Sequence, residues 1–232
     1  MLNIRFSVFN LFEERTYVAW REAGRCIIID PGCRNDAERQ ALTELLTQEA
    51  LAPEAILLTH GHLDHVLGVA SLQRRYGIPV FLHPAEVVTL DYNARMAERF
   101  RMQPPEPFDW TPLADGQLPE LAGMRFEVIA TPGHTPGSVC FLEREEGILF
   151  TGDTLFAGSI GRTDFPYSEY DDEIRAILEK LLPLDSGTII LPGHGPDSTI
   201  GRERTNNPFL EPFNEPEEEP DPDLEPVVIN GI

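Results

Sequence analysis

Four short apolar runs in this chain end in the same way. Ala55-Ile56-Leu57-Leu58 leads into Thr59-His60-Gly61-His62-Leu63-Asp64-His65. Residues 124–130 lead into Thr131-Pro132-Gly133-His134, residues 148–151 into Gly152-Asp153, and residues 188–191 into Pro192-Gly193-His194. Each run has the length and apolarity of a buried strand. Each is followed by glycine, which lets the backbone turn sharply, and by histidine or aspartate. The pattern predicts a fold that gathers four strand ends at one edge of a sheet. Neutral imidazole nitrogen and carboxylate oxygen are ligands that Zn²⁺ accepts. Five histidines and two aspartates (His60, His62, Asp64, His65, His134, Asp153 and His194) exceed what one tetrahedral ion uses. They suit two ions if one carboxylate bridges, with a position left open for solvent hydroxide. One histidine in isolation is most simply structural, as His83 before Pro84 is read to be. Five at matching strand ends make that reading a chain of coincidences.

The remaining pattern alternates strands and helices. Residues 16–20 and 26–30 are apolar runs joined by Arg21-Glu22-Ala23-Gly24, a hairpin signal. Asn35 reads as the N-cap of a helix reaching about residue 50, with Ala41, Leu42, Leu45 and Leu46 at helical spacing. A helix is expected over 64–76, stopped by Gly77, then a strand at 79–82 and a helical stretch over 85–101. Residues 103–120 lack periodicity and read as a functional loop. Tyr92, Met96, Phe100, Met102, Phe108 and Trp110 in this region are candidates to wall a pocket. A helix over 171–182 precedes the last strand. With no repeat and no composition break in the body, the expected class is one α/β domain whose sheet layers are covered by helices.

Composition bounds the function. No stretch approaches the roughly 18 to 20 unbroken apolar residues of a membrane span. The N-terminus has no basic segment followed by an apolar one, so no secretory signal is evident. Cys26, Cys33 and Cys140 are neither paired in number nor spaced as zinc thiolates, which points to a reducing, cytoplasmic setting. Cys140 lies in a strand pattern and is read as core. The net charge of −21 opposes a nucleic-acid partner. Residues 211–226 carry eight acidic residues, five prolines and no basic residue. The expected division is therefore a folded body, 1–208, and an acidic, proline-rich, disordered tail, 209–232.

The series His60-x-His62-x-Asp64-His65, His134, Asp153, His194 resembles the metallo-β-lactamase superfamily over nearly the whole body. The resemblance implies an αββα four-layer sandwich. It implies a first ion on His60, His62 and His134, a second on Asp64, His65 and His194, and Asp153 bridging. Asp30 in Ile29-Asp30-Pro31-Gly32 matches the family's structural aspartate beside the site. Gly152-Asp153-Thr154-Leu155-Phe156, with Gly161-Arg162-Thr163-Asp164-Phe165, is similar to the short bacterial glyoxalase II-like branch.

That branch implies hydrolysis of S-2-hydroxyacylglutathione or a related small acyl thioester by a hydroxide bridging two divalent ions. Zinc is the expected metal, though His/Asp sites also accept iron or manganese. Asp64 and Asp153 are the expected catalytic carboxylates. Arg162 falls where glyoxalase II has a glutathione-contacting lysine. It would either anchor a substrate carboxylate or pair with Asp164. Glyoxalase II proper adds a helical C-terminal domain that contributes glutathione contacts, whereas the residues after His194 here are few and largely the acidic tail. Three alternatives stand beside this reading. The Gly-Arg-Thr-Asp-Phe stretch also occurs in persulfide dioxygenases of this fold, which use a single iron held by two histidines and one aspartate. Another ester or a lactone is a further substrate class, and a metal-binding scaffold without turnover is the non-catalytic one. Neither a membrane nor a nucleic-acid partner is expected, and the oligomeric state is left open.

Overall fold

Cys26-Ile27-Ile28-Ile29 has no polar alternation, so a strand there needs cover on both faces. The computed structural model supplies it, describing residues 1–116, 119–211, 213–214 and 230–231. The first sheet contains β1 (Asn3–Phe9), β2 (Glu14–Trp20), β3 (Arg25–Ile29), β4 (Ala52–Leu57), β5 (Val80–Leu82) and β6 (Thr111–Pro112), in that spatial order. Its first three strands are antiparallel and the rest parallel. A small ladder, β7 (Glu120–Leu121) with β8 (Met124–Arg125), leads to the second sheet. That sheet holds β9 (Glu127–Ala130), β10 (Val139–Glu143), β11 (Ile148–Gly152), β14 (Ile189–Pro192) and β15 (Ser198–Thr199). The hairpin β12 (Leu155–Phe156) and β13 (Ser159–Ile160) follows β11. The helices are α1 (Asp36–Gln48), α2 (Leu63–Val66), α3 (Val69–Tyr76), α4 (Val87–Phe100), α5 (Tyr170–Ala176) and α6 (Ile200–Asn206).

Strand alternation sorts the core into three slabs. Tyr17, Ile27, Ile29 and Leu57 meet Val139, Phe141, Phe150 and Leu191 between the sheets. The opposite face of β3 and β4, with Cys26, Ile28 and Ile56, packs on Leu42, Leu45 and Leu46 of α1 and Leu72 of α3. Beyond the second sheet, Cys140, Leu142, Leu149 and Ile190 pack on Ile177, Leu181 and Ile200. Each fully buried side chain of this kind is worth about 1.5–3 kcal/mol of transfer free energy. The layers therefore run helix, sheet, sheet, helix, as the αββα expectation requires. No helix among the described residues is long and apolar enough to cross a membrane.

Local differences from the sequence pattern have physical causes. The helix expected over 64–76 is two, because the chain breaks at Gly68. Its N–H donates to the carbonyl of Pro31 (2.8 Å). A Cβ there would lie 2.3 Å from Cys33 Sγ and 2.7 Å from Pro31 O. Gly68→Ala should therefore destabilise the fold by about 1–3 kcal/mol, the usual range for overpacking. A urea midpoint within experimental error of the parent would contradict this.

The helix expected over 171–182 turns wider after Ala176, with Leu182 N reaching back to Ile177 O (2.9 Å). β1 precedes the first expected strand. Within the segment read as a functional loop, residues 108–110 are tied to the outer layer. Gln73 exchanges two hydrogen bonds with the backbone of Asp109 (2.7 and 3.1 Å), and Phe108 and Trp110 pack beside the α1/α3 slab. Of the expected tail, residues 212, 215–229 and 232 lie outside the described residues. Asn230–Gly231 forms a last short strand, β16, parallel to β1.

Candidate metal centre

Topology brings the predicted strand ends to one edge of the sandwich. β3 and β4 are parallel, as are β11 and β14, and β9 runs with β11 because both are antiparallel to β10. His60, His62, Asp64 and His65 follow β4 in the first sheet. His134, Asp153 and His194 follow β9, β11 and β14 in the second. Two glycines permit this convergence. Gly152 sits at φ +49° with its Cβ position 2.3 Å from Thr59 Oγ1. A Cβ on Gly193 would fall 2.4 Å from Asp153 Oδ1 and 2.6 Å from His65 Cε1.

Every imidazole is held by the protein through one nitrogen, while the other turns inward. His65 Nδ1 donates to Asp30 Oδ2 (3.1 Å), and His194 Nδ1 donates to the carbonyl of Phe12 (2.9 Å). His134 Nδ1 donates to the carbonyl of Arg162 (2.8 Å). Thr59 gives its hydroxyl proton to Asp30 Oδ2 (2.6 Å) and so accepts from His60 Nδ1 (3.0 Å). His62 Nε2 bonds the Tyr167 hydroxyl at 2.9 Å.

The inward atoms form two groups, each with its atoms within 4.8 Å of one another: His60, His62 and His134, and Asp64, His65 and His194. Asp30 falls near His60 and His65 as well, but its oxygens are engaged by Thr59 and His65, so it positions rather than faces the centre. His60 Nε2 is buried with no partner among the described residues. The Nε2 atoms of His65 and His194 face each other at 3.3 Å although both rings carry their hydrogen on the far nitrogen. A cation between them, a proton or a metal ion, accounts for that approach. These residues could hold divalent metal ions.

Asp153 joins the groups. Its Oδ1 lies 3.4 Å from His65 Nε2, and its Oδ2 lies 3.6 Å from His134 Nε2 and 3.5 Å from His194 Nε2. Asp64 Oδ2 is 3.3 Å from His194 Nε2. The electrostatics split accordingly. Burial, with mutual repulsion, holds His60 and His62 well below the usual imidazole range, and burial lowers His134. Burial also disfavours charge on His65 and His194, but Asp153 and Asp64 outweigh it, raising His65 strongly and pushing His194 up to about 10. One group is therefore a neutral triad and the other draws positive charge.

Three buried glutamates, which the sequence pattern did not single out, brace the loops. Glu86 accepts from the backbone N–H of Gly61 (2.6 Å) and of Gly137 (2.7 Å). Glu173 accepts from His134 N (2.7 Å), and Glu14 accepts from Thr16 Oγ1 (3.0 Å). Nothing in their local sequence distinguishes them from solvated glutamates. His83 caps the turn before α4 by accepting from Ala85 N (3.3 Å), a structural place.

A cleft of about 270 Å³ opens over His62, Asp64, His134, Asp153 and His194. Of the expected wall residues Met96 and Phe100 line it, while Phe12, Leu63 and Phe165 complete its apolar side. Arg162 also lines it, but its guanidinium grips Asp164 with two hydrogen bonds (2.6 and 2.7 Å). The three cysteines are buried and unpaired, and burial pushes the Cys140 thiol up to about 12.

Comparison with known proteins agrees with this geometry. Residues 12–194 match the model of the metallo-beta-lactamase superfamily. The hydroxyacylglutathione hydrolase GloC of Haemophilus influenzae is 38% identical over 90% of this chain and 98% of its own length. The crystal structure of the B3 metallo-beta-lactamase BLEG-1 is 37% identical with a TM-score of 0.81, covering 90% of this chain and 99% of that one. TTHA1623, solved in a di-iron-bound form, is 37% identical with a TM-score of 0.78, over 88% of this chain and 98% of that one.

Proposed function

The chain belongs to the metallo-β-lactamase superfamily, and from that premise we propose that it is a metal-dependent hydrolase of small acyl thioesters, with 2-hydroxyacyl thioesters of glutathione or a related thiol as substrates. The observation that carries the reading is the convergence of five imidazoles, each anchored on its outer nitrogen, with the two carboxylates of Asp64 and Asp153. His60, His62 and His134 would hold one ion, Asp64, His65 and His194 the other, with Asp153 between them. Bound there, the ions would supply a hydroxide at neutral pH and stabilise negative charge on the acyl oxygen.

The chain's own residues do the rest. Asp30, Thr59, Tyr167 and the carbonyls of Phe12 and Arg162 fix ring orientation and tautomer, as partners behind metal-bound histidines do. Phe12, Met96, Phe100 and Phe165 exclude water from the acyl group in the cleft. A thiolate is a good leaving group, so no strong general acid is needed opposite it. Zinc is the first expectation for the metal. Iron is the second, supported by the di-iron form of TTHA1623. The buried free thiols fit a cytoplasmic setting.

The test pairs metal analysis with two assays, S-lactoylglutathione cleavage and persulfide-dependent oxygen uptake. Two metals per chain with thioester cleavage supports the proposal. One iron per chain with oxygen uptake and no cleavage overturns it. Chelation should abolish turnover and lower the melting temperature by about 10 °C, since a tightly bound ion adds about 3–4 kcal/mol and this size of chain shifts about 2–4 °C per kcal/mol. A chelated protein with unchanged melting and activity would rule out a resident metal.

A further inference from the structure

In so acidic a chain most cations have an acidic partner. Arg15 meets Asp197, Arg21 meets Glu143, and Arg162 meets Asp164. Arg95, Arg99 and Arg101 differ: all three are exposed and have no ion pair among the described residues. They sit together at the C-terminal end of α4, the helix whose Met96 and Phe100 line the cleft. Arg95 and Arg99 are one turn apart and so share a face.

Contacts tie that face to the centre. The Arg95 guanidinium lies 5.9 Å over the Tyr92 ring. Tyr92 packs edge-on against Tyr167 (5.4 Å), whose hydroxyl bonds His62. At the other end, the charge of Arg99 reaches Asp164, adding to the hold of Arg162 that keeps this carboxyl below its usual range. On the helix whose Met96 and Phe100 line the cleft, Arg95 therefore stands beside Tyr92 and Arg99 within electrostatic reach of Asp164, with the exposed Asp91 and Glu98 on the same helix.

We propose that Arg95 and Arg99 form the anion subsite for the thiol half of the substrate, which carries a carboxylate. This rests on the thioester reading above and moves the handle away from Arg162. Asp164 already satisfies Arg162 in the bidentate geometry a substrate carboxylate would seek, so a ligand would have to displace it. The α4 guanidiniums need no displacement. They also give an anion approaching a body of net charge −21 a local region of favourable potential.

The experiment measures binding by calorimetry to the metal-loaded protein, so it does not depend on turnover. The probes are S-methylglutathione and its diethyl ester, which lacks the carboxylates. The parent should bind the acid more tightly, and added salt should weaken that binding. R95A/R99A should weaken the acid about tenfold, remove the salt dependence and leave the ester within about twofold. Arg202→Ala, an exposed cation on α6, should change neither.

A double variant that binds the acid like the parent overturns the subsite, as does a parent that binds ester and acid equally, or neither. So does loss of the preference in Arg162→Ala alone. If the double variant behaves as expected while no thioester is cleaved, the subsite stands and the thioesterase reading falls. Cleavage with arginine-independent binding is the reverse.

Discussion

Asp153→Asn is expected to leave the fold intact and to remove about 10³-fold from kcat/KM, with metal content falling from about two ions per chain to one or fewer. The size follows from geometry. Asp153 presents one oxygen to His65 and the other to His134 and His194, so it is the side chain that touches both groups. Asparagine keeps one acceptor oxygen and replaces the other with an amide that cannot ligate and points at imidazole lone pairs. Several kcal/mol of charge stabilisation would go with the lost ion, at about 1.4 kcal/mol per tenfold in rate. A native circular dichroism spectrum together with mass-spectrometric metal counts separates this from misfolding. Two ions retained and near-normal turnover would refute the bridging role.

The largest stability effect should come from Glu86, which touches no predicted ligand side chain. It is fully buried, and its two oxygens take the backbone N–H groups of Gly61, between His60 and His62, and Gly137, three residues after His134. Burial pushes its carboxyl up, but Thr135, these amides and Thr89 pull it back. Glu86→Ala leaves both amides unsatisfied and opens a cavity. At about 1–3 kcal/mol per stranded group, a destabilisation of about 3–5 kcal/mol is expected by urea unfolding. Metal affinity should fall by about 10- to 100-fold, as when partners behind a metal ligand are lost. Glu86→Gln should cost less, since it retains one acceptor. A cost below 1 kcal/mol for the alanine variant would mean that water replaces the carboxylate.

The convergence of these seven residues was legible because each group of them lies beside a glycine at the end of an apolar run, two signals that reinforce each other. The covering of β3 on both faces was legible in four consecutive apolar residues. What escaped was whatever depends on distant approach. Nothing local to Gly68 shows that Pro31 and Cys33 press against it, so one helix was expected where two form. Glu14, Glu86 and Glu173 look like solvated residues until the fold buries them against amides and hydroxyls. Phe12 and Phe165 reach the cleft from loops without periodicity, whereas Phe108 and Trp110, equally aromatic, are drawn to the outer slab by the Gln73–Asp109 bonds. The Arg162–Asp164 pair was one of two readings of the same residues, and only geometry distinguishes them.

The two groups of inward nitrogens do not divide along the sheets. His60 and His62 come from the first sheet and His134 from the second; likewise Asp64 and His65 from the first and His194 from the second. An ion in either position would therefore be a rivet through both halves of the sandwich, closing a loop of chain as a disulfide does in folds that have one. The free cysteines make no such tie. Opening this edge would then require ligand exchange at a metal as well as the parting of apolar surfaces. The lifetime of the closed edge would be governed by coordination chemistry, a property that no single residue in either sheet possesses by itself.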